Sequence, residues 1–369
     1  MNRVAESLRV VIAGGGSGGH VIPALAVARV LAEQYGASLR FIGTARGMET
    51  RLIPAAGYPL DLVQVGQLNQ AGLRRQVATL ARLPVGILQC VGILRRFQPH
   101  AVFSVGGYAS GPAMAAAILT RTPLITYEPN AIPGLANRWA GKYVTAAAIN
   151  FPESAHYFRN AQVTGVPVRR EFFDLPGRPP DAPPHLLVFG GSQGSRSLNR
   201  AMPPIAAELL QAVPGLTILH QAGAANFGET SRAYVESLAG DPAADGRWRV
   251  APFLDDMPAA FAKASVILCR SGATTVAELA AARRPSVLIP FPRAADDHQT
   301  KNAEVFARAG AAILLREPEL TPALLRQTLA DVLTHPERLQ AMTARAQALA
   351  HSNAAETIAA MIEKQKPGR

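Results

Sequence analysis

Four short segments hold the residue types able to do chemistry. Gly14-Gly15-Gly16-Ser17-Gly18-Gly19-His20 spaces Gly14, Gly16 and Gly19 as the dinucleotide fingerprint G-x-G-x-x-G. Glycine lets a backbone come close to a ligand, and the N–H groups that open a helix attract an anion. A nicotinamide site also wants an acid closing the next strand, to hold a ribose. Here that strand ends Phe41-Ile42-Gly43-Thr44, so the nicotinamide reading is set aside. An anion site remains, against the plain alternative of a tight turn without a ligand. Gly190-Gly191-Ser192-Gln193-Gly194-Ser195 repeats the design in the second half. The third segment, Cys269 to Glu278, opens a helix with small residues, which suits a pyrophosphate. The helix dipole is worth about 0.3–1 kcal/mol to such a group, and ~2 kcal/mol when partly buried. Glu278 either accepts both hydroxyls of a ribose or merely complements that dipole. The fourth segment, Asp296-Asp297-His298-Gln299, admits a metal, sugar hydroxyls or an ordinary loop. It contains no D-x-D.

These segments need strands behind them and helices in front. Short apolar runs alternate with Ala/Leu-rich helical stretches, the mark of parallel α/β units. Strands are predicted at 8–13, 39–43, 101–104, 124–127 and 144–149, with helices at 22–35, 73–97, 112–120 and 135–140. Asp174 to Pro184 then reads DLPGRPPDAPP, an irregular connector, because proline fixes φ and removes a donor. The alternation restarts with strands at 186–189, 217–220, 249–251, 266–269, 286–289 and 311–315. Helices follow at 323–333, 336–350 and 354–364. The pattern reads as two doubly wound sheets in tandem with a cleft between. In such sheets ligands sit beyond the carboxyl ends of the strands.

The chain has 369 residues, which suits two domains. A hydrophobic fraction of 49% excludes bulk disorder. The net charge of +11 predicts attraction to polyanions: nucleic acid, anionic lipid or phosphorylated substrates. No basic-aromatic motif supports nucleic acid. The two cysteines, Cys90 and Cys269, form no disulfide framework or zinc spacing, which points to a reducing compartment. The start of the chain does not read as a signal peptide. Ala101 to Thr120 has no formal charge over a bilayer-spanning length, but its central glycines, serines and Pro112 read as strand, turn and helix.

Seven longer motifs occur in order: GGGSGGHVIPALAVA from Gly14, VGGYASGP from Val105, YEPNAIPGLANRW from Tyr127, TGVPVR from Thr164, GGSQGSRSLN from Gly190, FLDDMPAAFAKASVILCRSGATTVAELA from Phe253 and DDHQTKNA from Asp296. In these motifs the chain resembles the bacterial lipid II-forming N-acetylglucosaminyltransferases (the MurG family) over nearly its whole length. The resemblance implies an α/β chain of GT-B fold: two Rossmann-like domains, residues 1–166 for acceptor and membrane, residues 167–350 for the donor, with 351–369 a helix packing back on the first. It implies inverting transfer of N-acetylglucosamine from UDP-GlcNAc to the 4-hydroxyl of the muramyl sugar of undecaprenyl-linked lipid I, in cell-wall synthesis. No cofactor and no essential metal is implied, in keeping with the missing D-x-D.

Carried over position by position, the resemblance puts Ser17, Gly18 and Gly19 near the sugar. Asn130 and Arg169 contact the donor, and Ser192 meets its phosphate side. The backbone of Leu254 reads uracil. Ala273, Thr274, Thr275, Val276, Ala277 and Glu278 line pyrophosphate and ribose, with Glu278 on the ribose. Gln299 reads sugar hydroxyls, and Tyr108 orients the acceptor. Direct displacement needs a general base, and His20 and Glu128 are both candidates. His20 begins a helix, whose positive end favours a neutral ring able to accept; a purely structural His20 is the alternative. The chain departs from the family pattern at Ser17, where threonine is usual, at Tyr127 and Pro129 around Glu128, and at Ser195.

Lipid I is bilayer-anchored, so a membrane surface is an expected partner. The stretch 73–97 carries Leu73, Val77, Leu80, Leu83, Ile87 and Leu88 beside Arg74, Arg75, Arg82, Arg95 and Arg96, which suits an anionic leaflet at the cytoplasmic face of the inner membrane. A core-facing helix with a solvated basic face is the alternative. For activity, the alternatives are UDP-GlcNAc 2-epimerisation, transfer to another glycolipid acceptor, and a non-catalytic nucleotide-sugar sensor.

Overall fold

A computed structural model describes residues 7–65, 73–179, 181–241 and 244–367, with side chains in the helix Leu73–Phe97 described from Leu83 onward. The chain divides into two compact units. One is Met1–Val168 together with Asn353–Arg369, the other Arg169–Ser352.

The first unit is built on seven parallel strands: β1 (Arg9–Ala13), β2 (Ser38–Gly43), β3 (Leu60–Leu62), β4 (Ala101–Ser104), β5 (Leu124–Glu128), β6 (Ala146–Ile149) and β7 (Ala161–Val163). Their order is β3-β2-β1-β4-β5-β6-β7. Central strands are covered on both faces, which is why they read as unbroken apolar runs. Val10, Val11 and Ile12 are fully buried. Each such side chain is worth roughly 1.5–3 kcal/mol. Register places Ile12 beside Phe41 on one neighbour and Phe103 on the other. The helix Gly18–Tyr35 stops at Gly36, whose left-handed φ of 58° lets its N–H and that of Ala37 close back on Ala32 and Leu31. The terminal helix Ala354–Glu363 packs on this helix, burying Ile358, Met361 and Ile362. The uncharged stretch 101–120 is β4, a glycine turn and the helix Ser110–Thr120. Among the described residues no helix is long and apolar enough to cross a membrane.

The second unit has six parallel strands: β8 (His185–Phe189), β9 (Thr217–Gln221), β10 (Trp248–Ala251), β11 (Val266–Cys269), β12 (Ser286–Leu288) and β13 (Ala312–Leu314), ordered β10-β9-β8-β11-β12-β13. Leu186, Val188, Leu268 and Leu329 lie in its core. The proline-rich stretch, in its described residues, forms no helix or strand. It is held by Arg284, 3% exposed, which donates to the carbonyls of Pro176, Phe261 and Ala262. Burial lowers the Arg284 pKa to about 10, so it remains a cation at neutral pH.

Candidate active site

In each sheet the direction of strand addition reverses once, between β1 and β4 in the first unit and between β8 and β11 in the second. Crevices open at such reversals. The glycine loops stand at these points.

In the first unit, the loop after β1 meets the loop after β4. Val105 N–H donates to Ala13 O, and Gly15 N–H to Gly106 O. Backbones touch so closely that a Cβ at Gly107 would lie 2.0 Å from Gly15 O, with Gly107 at φ +86°. Ser17 sits at the N-cap of the helix Gly18–Tyr35 and makes no side-chain capping bond. Ser17 and Gly19 are exposed and Gly18 is part-buried. His20, in the first turn, has Nδ1 2.8 Å from Val105 O. A carbonyl only accepts, so Nδ1 carries the proton and Nε2 is the accepting nitrogen. Tyr108, 40% exposed, lies against Gly16.

Sequence reasoning missed the residue that holds this loop. Glu49 is completely buried, with its carboxylate accepting from Gly16 N at 2.6 Å, Thr44 N at 3.1 Å and Thr44 Oγ1 at 2.8 Å. No motif announces it. The nearest signal is an acid opening the helix Glu49–Ala55, flanked by Gly43 and Gly47, where a Cβ would strike the carboxylate chain. Glu49→Ala leaves these donors without a partner. Denaturant unfolding should show a loss on the order of 2–3 kcal/mol. A loss below about 0.5 kcal/mol would mean the loop holds itself.

Glu128, the other candidate base, is 2% exposed. Oε1 accepts from Asn130 N and Nδ2, and Oε2 from Gly134 N and Asn137 Nδ2. Burial raises its pKa, and those hydrogen bonds pull the other way. The side chain therefore shapes the turn 129–134 and fixes the amide of Asn130. Sequence could not reveal this, because it does not show which way a strand-end carboxylate turns.

In the second unit, the helix Ala273–Ala281 follows β11. Its N-cap Gly272 offers no side chain, and no acid lies in its first turn. Ala273 and Val276 face inward, while Thr274, Thr275, Ala277 and Glu278 are part-exposed. Glu278 is sixth in the helix. The dipole reading for it therefore lapses, since that field fades within the first turn. Loss of water pushes the Glu278 carboxyl up to about 7, and the Arg169 guanidinium nearby opposes this. Arg169 lies over the Phe172 ring.

Ser192 is exposed on the loop after β8, and Leu254 is part-buried on the loop after β10. Gln299, in the first turn of the helix His298–Arg308, accepts from Phe291 N through Oε1 at 3.0 Å. Its Nε2 is left as a donor. Ser271 Oγ donates to Gln299 O. Asp297 accepts from Thr300 Oγ1, and Asp296 is exposed. Among the described residues no group of three His, Cys, Asp or Glu side chains could hold a metal ion. Arg270, given no role by sequence, pairs with Glu317 at 2.6 Å and donates to Ile289 O, Pro290 O and Ser197 Oγ. It locks three loops at this end of the sheet.

Residues 10–149 match the model of the glycosyltransferase family 28 N-terminal domain, and residues 185–358 that of its C-terminal domain. A protein of Solibacter usitatus named UDP-N-acetylglucosamine--N-acetylmuramyl-(pentapeptide) pyrophosphoryl-undecaprenol N-acetylglucosamine transferase is 44% identical, covering 96% of this chain and 95% of its own. A namesake from Myxococcus xanthus is 40% identical, covering 95% and 91%. The crystal structure of Acinetobacter baumannii MurG has a TM-score of 0.80 at 30% identity over 97% of this chain and 99% of its own. A putative UDP-N-acetylglucosamine 2-epimerase from Listeria monocytogenes has a TM-score of 0.71 at 14% identity, over 97% and 96%, a likeness of fold alone.

Proposed function

The chain belongs to glycosyltransferase family 28, among the transferases that form lipid II, and from that premise we propose how its residues carry out the reaction. It is a GT-B enzyme that transfers N-acetylglucosamine from UDP-GlcNAc to the muramyl 4-hydroxyl of undecaprenyl-pyrophosphoryl-MurNAc-pentapeptide. The 2-epimerase reading is not favoured, since the epimerase resemblance is at 14% identity.

The second unit binds the donor. Uracil lies against the backbone of Leu254, and Glu278 accepts both ribose hydroxyls. The diphosphate meets Ser192 and the N–H groups opening the helix Ala273–Ala281. Arg169 and Asn130 contact the donor. Gln299 donates to the sugar. The observation that carries this reading is the start of that helix: an uncapped turn with no acid, behind Gly272, at the reversal of its sheet. Fixed dipoles aimed at the leaving diphosphate stabilise charge as it develops, the work a divalent ion does elsewhere.

The first unit binds the acceptor. Ser17, Gly18 and Gly19 lie near the reacting sugar, and Tyr108 orients the muramyl ring. His20 Nε2 takes the proton of the 4-hydroxyl as its oxygen attacks the anomeric carbon. The bond from that carbon to the diphosphate oxygen breaks, and UDP leaves with the electron pair. One displacement inverts the centre and gives a β-1,4 linkage.

The acceptor is lipid-linked, and the enzyme meets it as a peripheral protein on the anionic cytoplasmic face of the inner membrane. Leu88 is 70% and Val85 45% exposed on the helix Leu73–Phe97, where Arg95 and Arg96 are exposed too. Cys90, Ile93 and Leu94 on the same helix are buried in the core. The side chains of the predicted membrane residues Leu73, Arg74, Arg75, Val77, Leu80 and Arg82 lie outside the described ones.

One assay tests the reading. The chain is given labelled UDP-GlcNAc with lipid I in anionic vesicles or a soluble lipid I analogue. Transfer should persist in EDTA with both acceptors. Salt should depress it only with vesicles, because screening weakens attraction to the surface. Epimerisation without acceptor, or loss of turnover with chelator, would overturn the chemistry. Equal salt response with both acceptors would overturn the membrane contact.

A further inference from the structure

Gln221 closes β9 and is 3% exposed. Its Nε2 lies 3.4 Å from Ser192 O and 3.4 Å from Pro252 O. A primary amide carries two N–H groups, so this one side chain reaches both carbonyls. Ser192 is on the loop after β8, and Pro252 stands two residues before Leu254 on the loop after β10. We propose that Gln221 is a positioning residue for the donor, tying the loop at its diphosphate to the loop at its base and so setting the span between them. The proposal rests on the donor site described above.

Around Gln221 the end of β9 is braced from three sides. Gly194 and Gly223 bring two backbones into contact: a Cβ at Gly194 would lie 1.8 Å from Ala222 O, and one at Gly223 2.1 Å from Gln193 O. Ala222 N–H donates to Ala251 O, which joins the strand end to β10. Beneath lies a closed polar chain. Asn199 Nδ2 donates to Ala222 O, which leaves Asn199 Oδ1 to accept from His220 Nε2 at 3.0 Å. His220 Nδ1 must then accept from Tyr234 OH, 3.1 Å away. Burial holds the His220 pKa near 3, so the ring stays neutral and this order of donors persists across working pH. Tyr234 stacks on Trp248 of β10. Gln221 itself is buried, and the loops it joins are exposed at Ser192 and Phe253. A buried amide that donates to the carbonyls of two loops sets the spacing of those loops.

The test compares Gln221→Met, which keeps the volume and loses the donors, with the parent enzyme and with Ser192→Ala and Glu278→Gln. UDP binding is read by titration calorimetry, and steady-state constants with a soluble acceptor. Gln221→Met should weaken UDP binding and raise the donor KM about tenfold, the size of one or two lost hydrogen bonds. Acceptor KM, kcat and the thermal midpoint should hold within about twofold and 2 °C. Gln221→Asn, which retains the amide on a shorter stem, should recover part of the loss. If Ser192→Ala and Glu278→Gln weaken UDP while Gln221→Met does not, the tie is overturned. If none of the three changes UDP affinity, the donor site itself is wrongly assigned. A large drop in thermal midpoint for Gln221→Met without a donor-selective KM change would make Gln221 structural and also overturn the proposal.

Discussion

Replacing His20 by alanine should lower kcat by about 10²–10⁴-fold, the usual worth of a positioned general base, and leave the donor KM nearly unchanged. The geometry behind this is specific. The Val105 carbonyl holds Nδ1–H, so the ring has one orientation and Nε2 is its accepting atom. Val105 is itself fixed by its N–H bond to Ala13 at the end of β1. The ring also packs on Gly106, where a Cβ would come within 2.9 Å of it. A base must be neutral to accept, so kcat in the parent enzyme should fall as pH drops and the imidazole gains its proton. His20→Ala should lack that acid limb. His20→Asn separates the two roles of the ring: its amide can still donate towards Val105 O but takes no proton at neutral pH. If His20→Asn restores kcat to within a few-fold of the parent, His20 is an anchor for the loop and the proton goes elsewhere.

The contrast between His20 and Glu128 shows what the sequence could and could not reveal. His20 lies just past the central strand β1 and Glu128 closes the central strand β5, and both are chemically able to accept a proton. The glycine loops were legible because only glycine tolerates such close backbone approach, as at Gly107. All six strands of the second sheet were legible as apolar runs bounded by turn residues. In the first sheet β3 and β7 were not. Each has three residues with polar or exposed positions at a sheet edge, where no second face demands an apolar side chain. Side-chain direction was the larger loss. Glu49 and Gln221 meet Gly16 and Ser192 at sequence separations of 33 and 29, and no local pattern encodes such a partner. The partners of Glu128 were hidden for the same reason: three of its donor atoms belong to Asn130 and Gly134 of the turn after β5 and the fourth to Asn137 of the next helix.

Glu278→Gln should make the protein more stable and a poorer binder of its donor. The stability effect follows from linkage. In the unfolded chain the carboxyl titrates near 4.5, and in the fold burial pushes it up to about 7. Below 4.5 it is protonated in both states and costs nothing. As pH rises towards 7 the unfolded chain ionises first, so the fold loses stability, and above 7 the loss is complete. That loss is at most on the order of 3 kcal/mol. Glutamine mimics the protonated form, so at pH 8 the thermal midpoint should rise by several degrees, and at pH 4 the two proteins should match. Binding moves the other way. An ionised carboxylate presents only acceptors and can take both ribose hydroxyls, whereas glutamine turns one of those positions into a donor. The mismatch should raise the donor KM roughly 10–100-fold at pH 8. In the parent enzyme the donor KM should also climb as pH falls through 7, and the variant should be flat there. A residue that merely capped its helix would show neither the gain in midpoint nor the pH-dependent KM. If Glu278→Gln binds UDP-GlcNAc as the parent does, the ribose is held by something else. A poorly hydrated carboxylate that costs the fold stability yet keeps this place is accounted for by a ligand that needs its charge.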